Sequence, residues 1–172
     1  TPFPRMQHFA ENQWWLGLLV VRVAVGATMV AHGYNHIYRG GKIKGTAGWF
    51  ESLGMKPGIF HAWLASITEL VAGAGLVLGL LTPLCAGALM GTLLVAFVTN
   101  HRTAGFFVFR RPTEGWEYIM NLVAAMLAIA CVGPGKWSLD DASFFWPHGW
   151  WSLVIALVVG FGGATATLVT FW

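Results

Sequence analysis

Residues 14–36 have the sequence WWLGLLVVRVAVGATMVAHGYNH, which says more about the architecture than any other part of the chain. This whole stretch carries one permanently charged side chain, that of Arg22. A helix needs about 20 mostly apolar residues to cross a hydrocarbon layer about 30 Å thick. The stretch is also too long to be the apolar core of a signal peptide. It therefore predicts a permanent transmembrane helix.

The composition of the whole chain also indicates a membrane environment. Of its 172 residues, 56% are hydrophobic and 10% are charged, whereas a soluble domain has about 25% charged residues. The chain has ten Trp and 22 Gly. Trp favours the headgroup boundary, and Gly lets helices approach closely. A net charge of +3 is too small to indicate a nucleic-acid partner.

Five stretches are long and apolar enough to span a membrane, namely 14–36, 60–81, 84–101, 116–132 and 150–172. A period-2 alternation of a membrane β-barrel is absent from the sequence. We therefore predict an all-α membrane protein: an antiparallel four-helix transmembrane bundle with an additional C-terminal transmembrane helix. A single transmembrane domain should cover residues 1–172, with a core bundle at 14–132, an outer aromatic loop at 133–149 and an extra helix at 150–172. The turn at Thr82-Pro83 should make the second and third helices antiparallel neighbours.

The orientation follows from the uneven distribution of cations. Cytoplasmic loops hold the Lys/Arg excess of a membrane protein. One side would carry only Arg5 and Lys136, and the other would carry Arg39, Lys42, Lys44, Lys56, Arg102, Arg110 and Arg111. We expect a multi-pass protein of the bacterial plasma membrane, with its N-terminus outside and its C-terminus in the cytoplasm. The outer loop should be anchored at the interface by Trp137, Phe144, Phe145 and Trp146.

Ionisable side chains inside the predicted spans need partners, since each costs a few kcal/mol at the bilayer centre when unpaired. Arg22 lies in the first span and Glu69 in the second. At about 1.5 Å per residue, they lie about 20 Å and about 13 Å from the cytoplasmic end, a gap that an extended guanidinium can cover. We expect an Arg22–Glu69 ion pair, whose simplest role is to fix the helix register.

A polar pocket is predicted near the cytoplasmic boundary. His32 lies about one turn inside the end of the first span, His101 ends the third, and Glu117 opens the fourth. Together with the ion pair, they give a pocket lined by Arg22, His32, Glu69, His101 and Glu117. Such groups can relay protons, hydrogen-bond a quinone carbonyl, or simply hydrogen-bond across helices. No metal is expected, because paired helical ligands at i,i+3 or i,i+4 spacing are missing.

Two further features leave alternatives open. Cys85 and Cys131 are the two cysteines and should both lie on the outer side, where they could form a disulfide or pack as small hydrophobes. In the fifth span, small residues repeat every four positions, which favours close packing within the bundle or on a partner. These residues are Ser152, Ala156, Gly160 and Ala164.

An ordered set of short segments extends from Arg22 to Asp140. After Arg22 and Gly26 come HG at 32–33, GTAGWFESLGMKP at 45–57, Glu69, GLLT at 79–82, His101, GWEY at 115–118 and GPGKWSLD at 133–140. This set resembles the DoxX family of small bacterial membrane proteins, and HGYNH at 32–36 is most similar to actinobacterial members. The resemblance implies a four-helix core in which the polar residues named above are the shared positions.

The resemblance also implies a redox setting, because the family takes its name from a subunit of a thiosulfate:quinone oxidoreductase. The sequence has no CxxC, Gly-rich phosphate loop or Ser-His-Asp pattern that would hold a flavin, nucleotide or iron–sulfur cluster or form a catalytic triad. We therefore expect an accessory subunit of a larger bacterial membrane redox or respiratory complex, without catalytic activity of its own. The alternatives are a quinone-binding subunit of a membrane oxidoreductase and a small proton-linked transporter. We expect no cofactor to be bound by this chain alone, with a quinone or a lipid as the possible ligand, and the expected partners are membrane lipids and a larger protein complex.

Overall fold

The computed structural model describes residues 4–109, 114–143 and 149–172, with side chains from residue 11 onward. Within these ranges the chain forms seven α-helices and a 3₁₀ turn at His101–Thr103. The helices are α1 (Pro4–Tyr38), α2 (Lys42–Ser52), α3 (Gly58–Leu78), α4 (Thr82–Thr99), α5 (Glu117–Val132), α6 (Leu139–Ser143) and α7 (Trp150–Phe171).

Four of the described helices are long and apolar enough to cross a membrane, judged by length and composition. They are α1 over Glu11–Tyr38, α3, α4 and α7. The apolar helix α5 has 16 residues, so its length of about 24 Å is somewhat less than the hydrocarbon thickness. The all-α bundle with an additional C-terminal helix is thereby confirmed.

Glycines set the register of α1 against α3. A Cβ added to Gly26 would lie 2.6 Å from the Gly73 carbonyl oxygen, and one added to Gly73 would lie 2.8 Å from the Gly26 oxygen. Further along, a Cβ on Gly33 would lie 2.8 Å from the Ser66 oxygen. Small residues permit this backbone approach, which van der Waals packing requires where water provides no driving force.

The small-residue repeat of α7 packs inside the chain. All four of its members are buried. A Cβ added to Gly87 of α4 would lie 2.7 Å from the Ala156 oxygen, and one added to Gly91 would lie 3.0 Å from the Gly160 oxygen. The internal alternative is therefore the correct one, and the repeat joins α7 to α4.

The connections differ from the sequence predictions in two respects. Thr82 and Pro83 are not the turn but the first residues of α4, where Pro is favoured because its missing N–H is not needed. The turn lies at residues 79–81, and Gly79 has a φ of +65°. The helices α2 and α6 form in segments expected to be loops, and α2 buries Ala47 and Phe50.

The two ends of the bundle differ in charge. The basic end, where α1 and α4 finish and α3 begins, exposes Arg39, Lys42, Lys44, Lys56 and Arg102. The opposite end holds the 79–81 turn, α6, the exposed Trp137 and Lys136. The other predicted cations and aromatic anchors lie outside the described residues or side chains: Arg5, Arg110, Arg111, Phe144, Phe145 and Trp146.

The topology predicts that the two ends are labelled from opposite sides of the membrane. In a variant with both native cysteines replaced by alanine, Lys44→Cys and Ser143→Cys each place a thiol at an exposed position. An impermeant maleimide applied to intact cells should modify Ser143→Cys, and Lys44→Cys should react only in inverted vesicles. Labelling of both from one side would contradict the bundle topology, and a swap of sides would contradict the orientation.

Candidate functional site

Arg22 lies at the opposite end of the bundle and not in the predicted pocket. Its side chain is 1% exposed. Its Nη1 donates to the Pro134 carbonyl oxygen, and its Nη2 donates to the Trp137 carbonyl oxygen at 2.5 Å. The guanidinium thus joins α1 to the segment between α5 and α6. The predicted Arg22–Glu69 ion pair is wrong, because Arg22 extends towards the nearer membrane boundary.

Asp140 completes this contact, and we call the arrangement of Arg22, residues 79–82 and residues 133–140 the clasp. The Asp140 carboxylate is fully buried and accepts hydrogen bonds from the Leu81 and Thr82 amides at 2.7 and 2.8 Å. Its own amide donates to the Gly79 oxygen at 2.9 Å. A carboxylate at the first amides of α4 is favoured by the helix dipole. The clasp therefore unites three of the segments that carried the family resemblance.

Glu69 lies beside His36 on α1. The His36 Nε2 and Glu69 Oε2 atoms are 3.4 Å apart, yet Oε2 has no hydrogen-bond partner among the described residues. The helix register explains the pairing, because a Cβ added to Gly33 would lie 3.1 Å from the Glu69 Cβ. Glu69 therefore packs beside a part of α1 that is eleven residues, or about 16 Å of helix, from Arg22.

Both ring nitrogens of His101 have hydrogen-bond partners at the basic end of the bundle. Its Nδ1 donates to the Glu114 carbonyl oxygen at 2.7 Å, so Nε2 is the ring atom that can accept from other donors. The Tyr118 hydroxyl and the Asn100 amide lie 2.9 and 3.2 Å from Nε2. His101 is 6% exposed. These bonds fasten the end of α4 to the start of α5, which is a structural role.

Glu117 also has a structural contact. Its Oε2 accepts from the Val108 amide at 3.2 Å, and its backbone oxygen accepts from the Asn121 side chain at 3.1 Å. A carboxylate in the first turn of α5 also suits the helix dipole. Glu117 therefore holds the connection that precedes α5.

A cavity of about 320 Å³ occupies the basic half of the bundle. Most of its wall is apolar, with Met29, Phe50 and Leu93 among the contributors. Of the predicted pocket residues, three line it and two, Arg22 and Glu117, do not. Its titratable members among the described residues are His32, His36, His61, Glu69, His101 and Tyr118. His32 and Leu64 line it and are also exposed on the bundle surface, so the cavity reaches the lipid-facing surface there.

His61 is a cavity residue that was not among the residues predicted from the sequence. It lies one turn inside α3, is 2% exposed and lines the cavity. Its ring centroid is 4.9 Å from that of Phe171 and 5.1 Å from that of Phe60. Its Nε2 has no hydrogen-bond partner among the described residues. A signal was available, since a histidine near the start of an apolar span is costly to bury without a partner.

The cysteines and the histidines do not form other candidate sites. Cys85 is a buried free thiol whose Sγ lies 3.3 Å from the Leu80 oxygen, and Cys131 is free and exposed, so the disulfide alternative is wrong. Within the described ranges, no three His, Cys, Asp or Glu residues are grouped so that they could hold a metal ion. The cavity is therefore the candidate site.

The apolar helices and the largely apolar cavity, with its few polar groups, define a multi-pass α-helical membrane protein with a ligand-sized interior site. The chain belongs to the DoxX family, whose model matches residues 17–102, half of the chain. An uncharacterized membrane protein of Mycobacterium tuberculosis is 27% identical over 145 residues, which cover 80% of this chain and 86% of that protein. No solved structure matches the chain significantly.

Proposed function

We propose that this DoxX-family protein is the quinone-binding subunit of a membrane oxidoreductase and that the cavity holds the quinone ring. The observation that carries the proposal is the Glu69 carboxylate. It is 5% exposed and lines the cavity, and its Oε2 has no hydrogen-bond partner within the described part of the chain. The polar contact that this oxygen makes is the long one to the His36 Nε2 at 3.4 Å, so the oxygen can accept a further hydrogen bond, and a polar ligand in the cavity would supply it.

The His36–Glu69 pair suits both redox forms of a quinone. A histidine N–H can donate to a quinone carbonyl, and a carboxylate can accept the hydroxyl of the quinol. Conversion of the quinone to the quinol takes up two electrons and two protons, and the two groups lie 3.4 Å apart, so the pair is placed to pass protons to and from the ring while the electrons come from the redox partner. His61, whose Nε2 also has no partner among the described residues, gives the cavity a second polar position.

The size and wall of the cavity support a ligand of this class. Ligand sites have volumes of about 300–1,000 Å³ and are mostly apolar, with a few polar groups that fix orientation. The cavity of about 320 Å³ combines Trp49 and Phe50 with the His36–Glu69 pair. A quinone has an apolar ring with polar oxygens at its edge, and its isoprenoid tail could leave towards lipid past His32 or Leu64.

The redox centre that exchanges electrons with the quinone belongs, in this proposal, to another subunit. The sequence has none of the common motifs that hold a flavin, a nucleotide or an iron–sulfur cluster. The DoxX family takes its name from a subunit of a thiosulfate:quinone oxidoreductase. Membership of the family therefore supports a place beside a redox partner. Within this chain, the cavity residues would bind and orient the ring and pass its two protons.

Replacing Glu69 with leucine should reduce the quinone that co-purifies with the protein about tenfold. The substitution removes a charge-assisted hydrogen bond, for which about 1.4 kcal/mol corresponds to a tenfold change in affinity. The measurement is chromatographic quantification of quinone extracted after purification in a gentle detergent. Glu117→Leu is the matched control, because Glu117 does not line the cavity and its carboxylate contacts the Val108 amide instead. This variant should retain quinone at the wild-type level.

Equal quinone content in Glu69→Leu and the wild type would contradict the proposed site. A wild-type protein that carries a stoichiometric partner and no quinone would favour an accessory subunit without a ligand, a role that agrees with the structural bonds of His101. Proton-driven solute uptake by the purified protein alone would favour the transporter alternative.

A further inference from the structure

A second concavity lies on the lipid-facing surface, along the seam between α1 and α3. Small side chains form part of its lining, namely the exposed Ala27, Ala31 and Ala74, and Tyr34 and Asn35 line it nearer its basic end. Val77 and Leu78 contribute to the wall, and the concavity ends at Arg39. The close contact of Gly26 with Gly73 brings the two helix backbones together beneath it. The seam is therefore an apolar groove with a cation at one end.

The groove has the length of one membrane leaflet. From Ala27 to Arg39 there are twelve residues, or about 18 Å of helix. Half of a hydrocarbon layer about 30 Å thick is about 15 Å. Arg39 directly follows the last residue of α1, so its side chain lies at headgroup level and Ala27 lies near the bilayer centre. A transmembrane helix from a partner would need a groove about twice as long.

The groove ends at a turn with a strong positive charge. Arg39, Lys42 and Lys44 are all exposed there. The 11-residue helix α2 begins at Lys42 and has no side-chain cap, so its positive dipole end adds to the field of the three cations. The chemistry at this end therefore complements an anion at headgroup depth.

From these two features we propose that the groove binds one anionic phospholipid in the leaflet at the basic end. An acyl chain lies over Ala31 and Ala27, and the phosphate is held by Arg39, Lys42 and Lys44. This site is independent of the quinone cavity, because its described lining residues lie on the outer surface of α1 and α3. The protein thus requires an anionic lipid, which it recognises by the charge of the headgroup and by the fit of the acyl chain in the groove.

The test is retention of lipid by the purified full chain reconstituted in phosphatidylcholine vesicles with 20% phosphatidylglycerol. After extraction into detergent, native mass spectrometry should find one phosphatidylglycerol bound per wild-type chain. A basic side chain near a membrane surface is worth about a fivefold change in anionic lipid binding. Arg39→Gln should therefore retain about fivefold less, and Arg39→Gln with Lys42→Gln about 25-fold less. Lys56→Gln, at the same end and outside the groove lining, is the control and should retain the wild-type amount.

Ala31→Leu tests the acyl chain separately, because it fills the groove and leaves every charge in place. It should reduce phosphatidylglycerol retention several-fold with an unchanged melting temperature. Normal retention in Ala31→Leu, with loss in Arg39→Gln, would overturn the proposal in favour of a headgroup or free-phosphate contact. A change of oligomeric state or the loss of a partner subunit in Ala31→Leu, with lipid retention unchanged, would overturn it in favour of a helix-docking surface. Equal retention in all variants would also overturn it.

Discussion

Arg22→Ala should lower the free energy of unfolding by about 3 kcal/mol. The substitution removes the donor of two hydrogen bonds, so the buried Pro134 oxygen and the partly buried Trp137 oxygen lose it, and an unsatisfied buried group costs about 1–3 kcal/mol. It also removes a positive charge near the buried Asp140 carboxylate. The measurement is the unfolding free energy in detergent, followed by circular dichroism during denaturant titration.

Lys56→Ala is the control for this prediction. Lys56 is an exposed cation outside the clasp and outside the groove lining, and surface substitutions usually change stability by less than about 0.5 kcal/mol. If Arg22→Ala and Lys56→Ala prove equally stable, the clasp does not hold the bundle. Arg22→Lys should recover part of the lost unfolding free energy, because an ammonium group can donate to one carbonyl oxygen but lacks the planar guanidinium geometry that donates to two.

Gly26→Val should disrupt the α1–α3 contact and reduce stability by about 3 kcal/mol. The added Cβ would lie 2.6 Å from the Gly73 oxygen, which belongs to the backbone of a helix and cannot move independently. Overpacking of this kind typically costs about 1–3 kcal/mol, and valine adds two methyl groups beyond the Cβ. Because the same contact sets the register of His36 against Glu69, quinone retention should fall as well.

Gly17→Val provides a matched comparison in the same helix. A Cβ at Gly17 would meet no atom of the described residues within 4 Å, so this variant carries the same change in helix propensity without the clash. Its unfolding free energy should stay within about 1 kcal/mol of the wild type. Equal stability of the two valine variants would show that α1 and α3 do not approach as closely as described.

The bundle itself could be predicted because membrane spans depend on a local property, the length of an apolar run. Each of the five stretches corresponds to one of the five bundle helices. The short helices outside the five apolar stretches were harder to assign. The helix α2 contains two Gly in 11 residues and was expected to be a loop, since its stability depends on burying Ala47 and Phe50 against the start of α3.

The polar residues were harder to place because their partners depend on packing. Depth counting put Arg22 within reach of Glu69, but the direction of an arginine side chain and the backbone carbonyls of residues 134 and 137 are invisible in a sequence. His101 and Glu117 were expected at the correct end of the bundle. Which ring nitrogens of a buried histidine are bonded depends on packing, so the sequence alone does not distinguish the unpartnered Nε2 of His61 from the bonded ring of His101.

Photochemical cross-linking tests the central claim, quinone binding in the cavity, most directly. A short-chain quinone with a photoreactive azide is equilibrated with the purified protein and illuminated, and the labelled peptides are mapped by mass spectrometry. The account predicts labels on cavity residues of α1 and α3 between residues 29 and 36 and between 61 and 69, with competition by unlabelled quinone and strong loss in Glu69→Leu. Labels confined to lipid-facing positions such as Trp150 and Val158, without competition, would contradict it.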